Sequence, residues 1–218
     1  MSNSIDPNQV IDSNINLEKL NLNINNNINQ NNSSTSDLII NNSLEQNFIL
    51  CEKDNIVYKT YYGETLINDI MDIMKEELSE PYPIFTYRFF LNGWPALNIM
   101  VFDKEKNNKF IGCIIGKCDR NKKGKMKGYI AMIAVDKDYR GKKIGKNIVE
   151  IFISQCKNMY KADEIELETE VTNIAALNLY GYFGFVRTKI LYNYYLNNNN
   201  AYKLKLWFSD YNASSHDN

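Results

Sequence analysis

Nine consecutive residues, Asp138-Tyr139-Arg140-Gly141-Lys142-Lys143-Ile144-Gly145-Lys146, set four cations and two glycines between an apolar run and an amphipathic one. Glycines let backbone N–H groups turn toward a ligand, and the start of the following helix adds a positive dipole end. Arg140, Lys142, Lys143 and Lys146 add full charges, so the group suits a diphosphate. From the residues alone, a basic turn between strand and helix reads equally well. A second grouping is Glu164, Glu166, Glu168 and Glu170, which alternation along a strand sends to one face. Carboxylates are candidate bases for a proton transfer, but a solvated strand face is the plainer expectation. Nothing in the spacing chooses among the four.

Other chemistries are excluded by what is missing. The single histidine, His216, lies in a polar tail, so no Ser-His-Asp or Cys-His system and no His-rich zinc site is expected. No metal is expected. Cys51, Cys113, Cys118 and Cys156 lack the spacing of a metal knuckle or redox pair and sit among apolar residues, which reads as buried free thiols. Lys+Arg 25 against Asp+Glu 26 leaves a net charge of −1. That balance argues against an affinity built on phosphate neutralisation, so no direct nucleic-acid binding is expected. MSNSIDPNQV does not read as a secretory signal, and no run approaches the ~18 apolar residues of a membrane span. A soluble, cytoplasmic chain without membrane contact is the expectation.

The elements that must position these groups follow from periodicity. Fifteen of the first fifty residues are Asn, so residues 1–50 read as a disordered arm, 51–210 as one domain, and 211–218 as a disordered tail. Within the domain, 56–62 reads as a strand. Leu66, Ile70, Met74 and Leu78 mark a helix face, and Pro81 and Pro83 end it before a short helix over 85–91. Residues 97–102 and 110–118 read as a hairpin, and 129–135 as an apolar strand covered on both faces. Ile144, Ile148, Ile151, Phe152, Gln155 or Cys156, and Met159 mark the buried side of a helix. A strand over 165–171, a helix over 175–182 and strands over 185–196 and 202–207 complete the order β-α-α-β-β-β-α-β-α-β-β. The central strand–helix–strand unit implies one parallel pair in a mixed, mostly antiparallel sheet, an α+β fold with α/β/α layers.

The basic loop at its strand–helix junction resembles the acetyl-CoA diphosphate loop of the GNAT acetyltransferase superfamily, Arg/Gln-x-x-Gly-x-Gly/Ala. Arg140 and Gly145 match its ends, while Lys143 stands where the middle glycine belongs. If the backbone there requires a positive φ, a lysine works against the loop. Five further segments resemble the catalytic subunits of NatC-type N-terminal acetyltransferases. They are Leu78-Ser79-Glu80-Pro81-Tyr82; Tyr87-Arg88-Phe89-Phe90-Leu91 with Trp94-Pro95; Gly128-Tyr129-Ile130-Ala131-Met132-Ile133-Ala134-Val135; Leu167-Glu168-Thr169-Glu170-Val171-Thr172-Asn173; and Tyr194-Tyr195-Leu196 with Lys203-Leu204-Lys205-Leu206.

This resemblance implies the GNAT fold and transfer of acetyl from acetyl-CoA to the α-amine of nascent chains beginning Met-Leu, Met-Ile or Met-Phe. It also implies auxiliary NatC subunits and the ribosome as partners. It gives Glu168 as base and Tyr180 as proton donor near the sulfur. Met132, Ile133, Ala134 and Val135 would line the pantetheine arm with Asn173 and Tyr180, and Arg140, Gly141, Lys142, Lys143, Ile144, Gly145 and Lys146 the diphosphate. Leu78, Glu80, Tyr82, Tyr129, Tyr194 and Tyr195 would select the peptide. Asn173 also reads as a helix cap. Transfer to lysine or a small amine, and a non-catalytic CoA-binding module, are the alternatives.

Overall fold

The structure is a computed structural model that describes residues 48–78 and 82–208. Most of the Asn-rich arm, Glu80 and the tail over 211–218 lie outside the described residues.

An eight-stranded sheet in the order β1-β2-β3-β4-β5-β6-β8-β7 carries the site. It opens with a hairpin, β1 (Ile49–Lys53) and β2 (Ile56–Thr60), whose turn residues Asp54 and Asn55 both adopt positive φ. That two-residue geometry matches the strands' own twist. The expected element order is thus preceded by one extra strand, which starts at Ile49, inside the range read as disordered. Its five residues are too few and too mixed to show a period.

Helices α1 (Ile67–Glu77) and α2 (Ile84–Gly93) follow. Ile67, Ile70 and Met74 recur at helical spacing and are buried with Tyr87 and Leu91 against Met100, Cys113, Ile115 and Met132 of the sheet. Each such side chain contributes about 1.5–3 kcal/mol by leaving water. Strands β3 (Ile99–Asp103), β4 (Lys109–Arg120) and β5 (Met126–Val135) form an antiparallel meander. Helix α3 (Ile144–Asn158) returns along the opposite face and buries Ile144, Ile148, Val149, Phe152 and Cys156 there. Met159, read as the last residue of that buried row, is instead the C-cap of the helix and is half-exposed, although its backbone is still helical and its N–H still bonds the Gln155 carbonyl. Strand β6 (Glu164–Glu170), helix α4 (Ile174–Tyr182), and strands β7 (Val186–Leu191) and β8 (Ala201–Trp207) close the domain. The layers are α/β/α, as expected. Strand β7 is shorter than the expected 185–196, and residues 192–197 leave the ladder. Cys113, Cys118 and Cys156 are buried, and all four cysteines are free thiols.

Two irregularities shape what lies between β5 and β6. Ile115 pairs with Met132 but Gly116 pairs with Ile130, so Ala131 is an extra residue that bends β5. Gly116 is required there: a Cβ would lie 2.3 Å from the Tyr129 carbonyl oxygen and 2.7 Å from the Phe152 ring. The Gly116 N–H instead donates to the buried Asn98 Oδ1 at 2.7 Å, and the Asn98 amide donates to the Phe90 and Trp94 carbonyls at the end of α2. The second irregularity is the parallel pair β5–β6, which is joined only at Lys127–Glu164, Gly128–Ile165 and Tyr129–Glu166. Beyond that point β5 runs on to Val135 and β6 to Glu170 without pairing each other.

Candidate active site

The strands diverge around a cavity of about 470 Å³ lined by both of them, the end of α1, the start of α4 and the segment after β7. Of the residues expected from sequence, Leu78, Tyr82, Tyr129, Met132, Ile133, Glu168, Asn173, Tyr180, Tyr194 and Tyr195 all line it. They come from six separate stretches of chain, and only the divergence of β5 from β6 brings them together.

Glu168 lies on the cavity-facing side of β6 with both carboxylate oxygens engaged. The Tyr129 hydroxyl donates to Oε2 at 2.9 Å, and Lys203 Nζ, on β8 directly opposite, lies 3.3 Å from Oε1. Burial, followed by the negative charge of Glu168, pushes the Tyr129 phenol well above its ordinary range, so it remains a donor. Tyr180 lines the same cavity from α4, edge-to-face with Phe185 at 5.4 Å. Burial pushes its phenol up as well, which keeps the proton on the oxygen at neutral pH. Asn173 caps α4 by accepting from the Ala176 N–H at 3.0 Å, so the expected cap is present.

The plainer reading of the glutamate row is corrected here. Glu164 and Glu166 are buried rather than solvated, because Lys127 of β5 and Lys203 and Lys205 of β8 cover them. Burial works against the charge on Glu166, yet the Lys127 and Lys203 ammonium groups hold its carboxyl below the usual 4.5.

The basic loop begins where β5 ends. Ala134 and Val135 finish the strand, and residues 140–143 turn into α3. Gly141 has φ +76° and Lys143, at the N-cap of α3, φ +63°. The position that the resemblance assigns to glycine therefore does adopt the left-handed conformation a side chain resists. Lys146 lies over the Tyr182 ring at 3.6 Å and Lys142 over Tyr139 at 4.6 Å. Lys142 and Ile144 line a second, smaller cavity with Tyr58, Asp103, Tyr139 and Asn147 rather than the large one. Arg140 is ion-paired with Glu77, and Lys137 with Glu76 at 3.3 Å.

Glu76, Glu77 and Thr169 also line the large cavity and were given no role from sequence, and Glu170 of the glutamate row lines it as well. The Glu77–Arg140 pair joins residues 63 positions apart, a contact no local pattern announces. Lys203 carries a weak signal in retrospect: it alternates with Lys205 as the glutamates do.

A family model described as "Acetyltransferase (GNAT) family" matches residues 67–185. The chain is 45% identical over 155 residues to N-alpha-acetyltransferase 30 of Saccharomyces cerevisiae, covering 69% of this chain and 88% of that one. It is 44% identical over 161 residues to the Homo sapiens protein of the same name, covering 72% of this chain and 42% of that longer one. Among solved structures, a chain of the NatC complex bound to Gag peptide and CoA superposes with a TM-score of 0.69 at 44% identity, over 71% of this chain and 99% of that one. With the split sheet, the loop and these likenesses together, the chain belongs to the acetyltransferase (GNAT) family, among the N-alpha-acetyltransferase 30 enzymes.

Proposed function

We propose that this chain transfers acetyl from acetyl-CoA to the α-amine of polypeptides that begin with Met and a bulky apolar residue, as the catalytic subunit of a NatC-like assembly. The observation that carries the reading is the cavity between the diverging strands, lined by Glu168, fixed from two sides, and by Tyr180. The relative solved with Gag peptide and CoA supports both ligands. Auxiliary subunits, cytoplasmic residence and work at the ribosome are part of the same proposal.

The residues present fit the donor. Beyond the last β5–β6 pair, the β6-facing amides of 130–135 have no strand partner and are free to bond a pantetheine arm. At Gly145 a Cβ would meet only Leu179 and Val135, each at 3.9 Å, so the chain's own packing does not demand glycine. A diphosphate lying against the helix start supplies the reason. Lys146, in the first turn of that helix, adds positive charge beside it, while Arg140 is paired with Glu77 and Lys142 lines the smaller cavity.

Acetyl-CoA supplies an acyl carbon already activated as a thioester. An α-amine with a pKa near 8 is roughly one-tenth neutral at pH 7, whereas a lysine amine at about 10.4 is far scarcer in that form. Glu168, held by Tyr129 and Lys203, receives the proton that the amine sheds through a bridging water as the C–N bond forms. Tyr180 gives its hydroxyl proton to the departing sulfur as the C–S bond breaks. Leu78, Tyr82, Tyr194 and Tyr195 form the apolar and aromatic mouth that suits a methionine and a second large side chain. Glu80, outside the described residues, joins this proposal on the resemblance alone.

Competition between a Met-Leu peptide, a Ser-started peptide and spermidine tests the substrate class, with the full chain and its auxiliary subunits as enzyme. The Met-Leu peptide is expected to be acetylated first, at its α-amine by mass spectrometry. Faster transfer to spermidine or to an internal lysine would overturn the reading.

A further inference from the structure

We infer that Lys203 is a positioning residue for the acetyl transfer, acting through Glu168; the inference rests on Glu168 being the base. The groups that act on the Glu168 carboxylate come from three elements: Tyr129 of β5, Tyr195 of the segment after β7, and Lys203 of β8, with Glu166 its neighbour on β6 sharing that lysine. Among the described residues, Lys203 is the cation within ion-pair distance of Glu168, at 3.3 Å from Oε1.

The neighbouring carboxylate is served differently. Glu166 is held by Lys127, by Lys205 at 3.4 Å and by Lys203 at 3.2 Å. Loss of Lys203 leaves Glu166 with two lysines and Glu168 with none. Three cations for one carboxylate and one for its neighbour make Lys203 dispensable to the sheet and indispensable to Glu168.

The geometry also says what it does there. With Oε1 tied to Lys203 and Oε2 to the Tyr129 hydroxyl, the carboxylate plane cannot rotate, and its remaining lone pairs face the cavity. Burial opposes the charge on Lys203, but Glu166 and Glu168 hold the ammonium above its ordinary value, so it stays cationic wherever the enzyme works. Without it, Glu168 swings on Tyr129 alone and presents the proton acceptor in the right place for only part of the time. A misplacement of this kind costs about tenfold or more in rate.

The test is a double-mutant cycle in the assembled enzyme, read as kcat and peptide KM, with melting temperature as a check on folding. Lys203→Met is expected to lower kcat about tenfold, with KM and melting temperature near wild type, and Lys203→Arg to restore most of the rate. The double variant Glu168→Gln/Lys203→Met is expected to be no slower than Glu168→Gln alone, because a residue acting through Glu168 has nothing left to act on. A slow Glu168→Gln whose rate falls a further tenfold when Lys203→Met is added would overturn the role of the lysine and leave the base in place. A Glu168→Gln variant with wild-type kcat would overturn the base and the lysine together.

Discussion

At the residue scale, the site turns on how differently the same side chain behaves two positions along one strand. Glu166 and Glu168 share a face of β6, yet one is locked under three lysines and the other opens into the cavity with a phenol and one lysine on its oxygens. Sequence alternation placed both on one face, and the resemblance singled out Glu168. What alternation could not say is that the face is buried, because the lysines that cover it come from β5 and β8, about 40 residues away on either side. Tyr180 presents the complementary case. Its burial keeps the hydroxyl protonated, as a donor to a leaving thiolate requires. Tyr180→Phe is therefore expected to lower kcat about 10²-fold, at the lower end of what a positioned acid contributes, with peptide KM little changed. A rise in KM at constant kcat would instead make it a binding residue.

At the scale of elements, the loop between β5 and α3 works against its own sequence. Lys143 holds φ +63° at the N-cap of α3, in a conformation that costs an L-residue about 1–2 kcal/mol, part of which glycine's looser unfolded chain would offset. Lys143→Gly is expected to stabilise the fold by about 0.5–1 kcal/mol in a denaturant melt, and to leave CoA affinity unchanged or tighter in calorimetry. A large loss of CoA affinity would show that the ammonium makes its own phosphate contact. The loop's place between strand and helix was legible because an apolar run and a helical period flank it. The sign of φ at Lys143 was not legible, since only the glycine of related loops hinted at it. Strand β1 was missed because Ile49–Lys53 is short and borders Asn-rich sequence. The overlong reading of β7 has another cause: Tyr192, Tyr194 and Tyr195 favour strands by type, yet they leave the ladder and two of them reach the cavity.

For the whole molecule, one sheet with helices on both faces does two jobs. One face carries α1, α2 and the end of α1 beside the cavity, and the other carries α3, whose N-terminus meets the end of β5. Among the described residues no helix is long and apolar enough to cross a membrane. The charged ladder across β5, β6 and β8 ties the two halves of the split sheet, which gives the fold an acid sensitivity. The Glu166 carboxyl is held below 4.5 when folded, so its contribution is fully present above that value. It is lost as pH falls through the lower folded value. Glu166→Gln is expected to be less stable than wild type near neutrality and to show a shallower fall in melting temperature below about pH 4.5. Parallel acid limbs in the two proteins would assign the sensitivity to other carboxylates.

The central claim is that the cavity between β5 and β6 is where the acetyl group moves and that Glu168 takes the proton there. Single-turnover transfer from acetyl-CoA to a Met-Leu peptide by Glu168→Gln, in the assembled enzyme, tests it most directly. The rate is expected to fall on the order of 10²-fold or more with peptide affinity near wild type. Transfer at the wild-type rate would contradict the account.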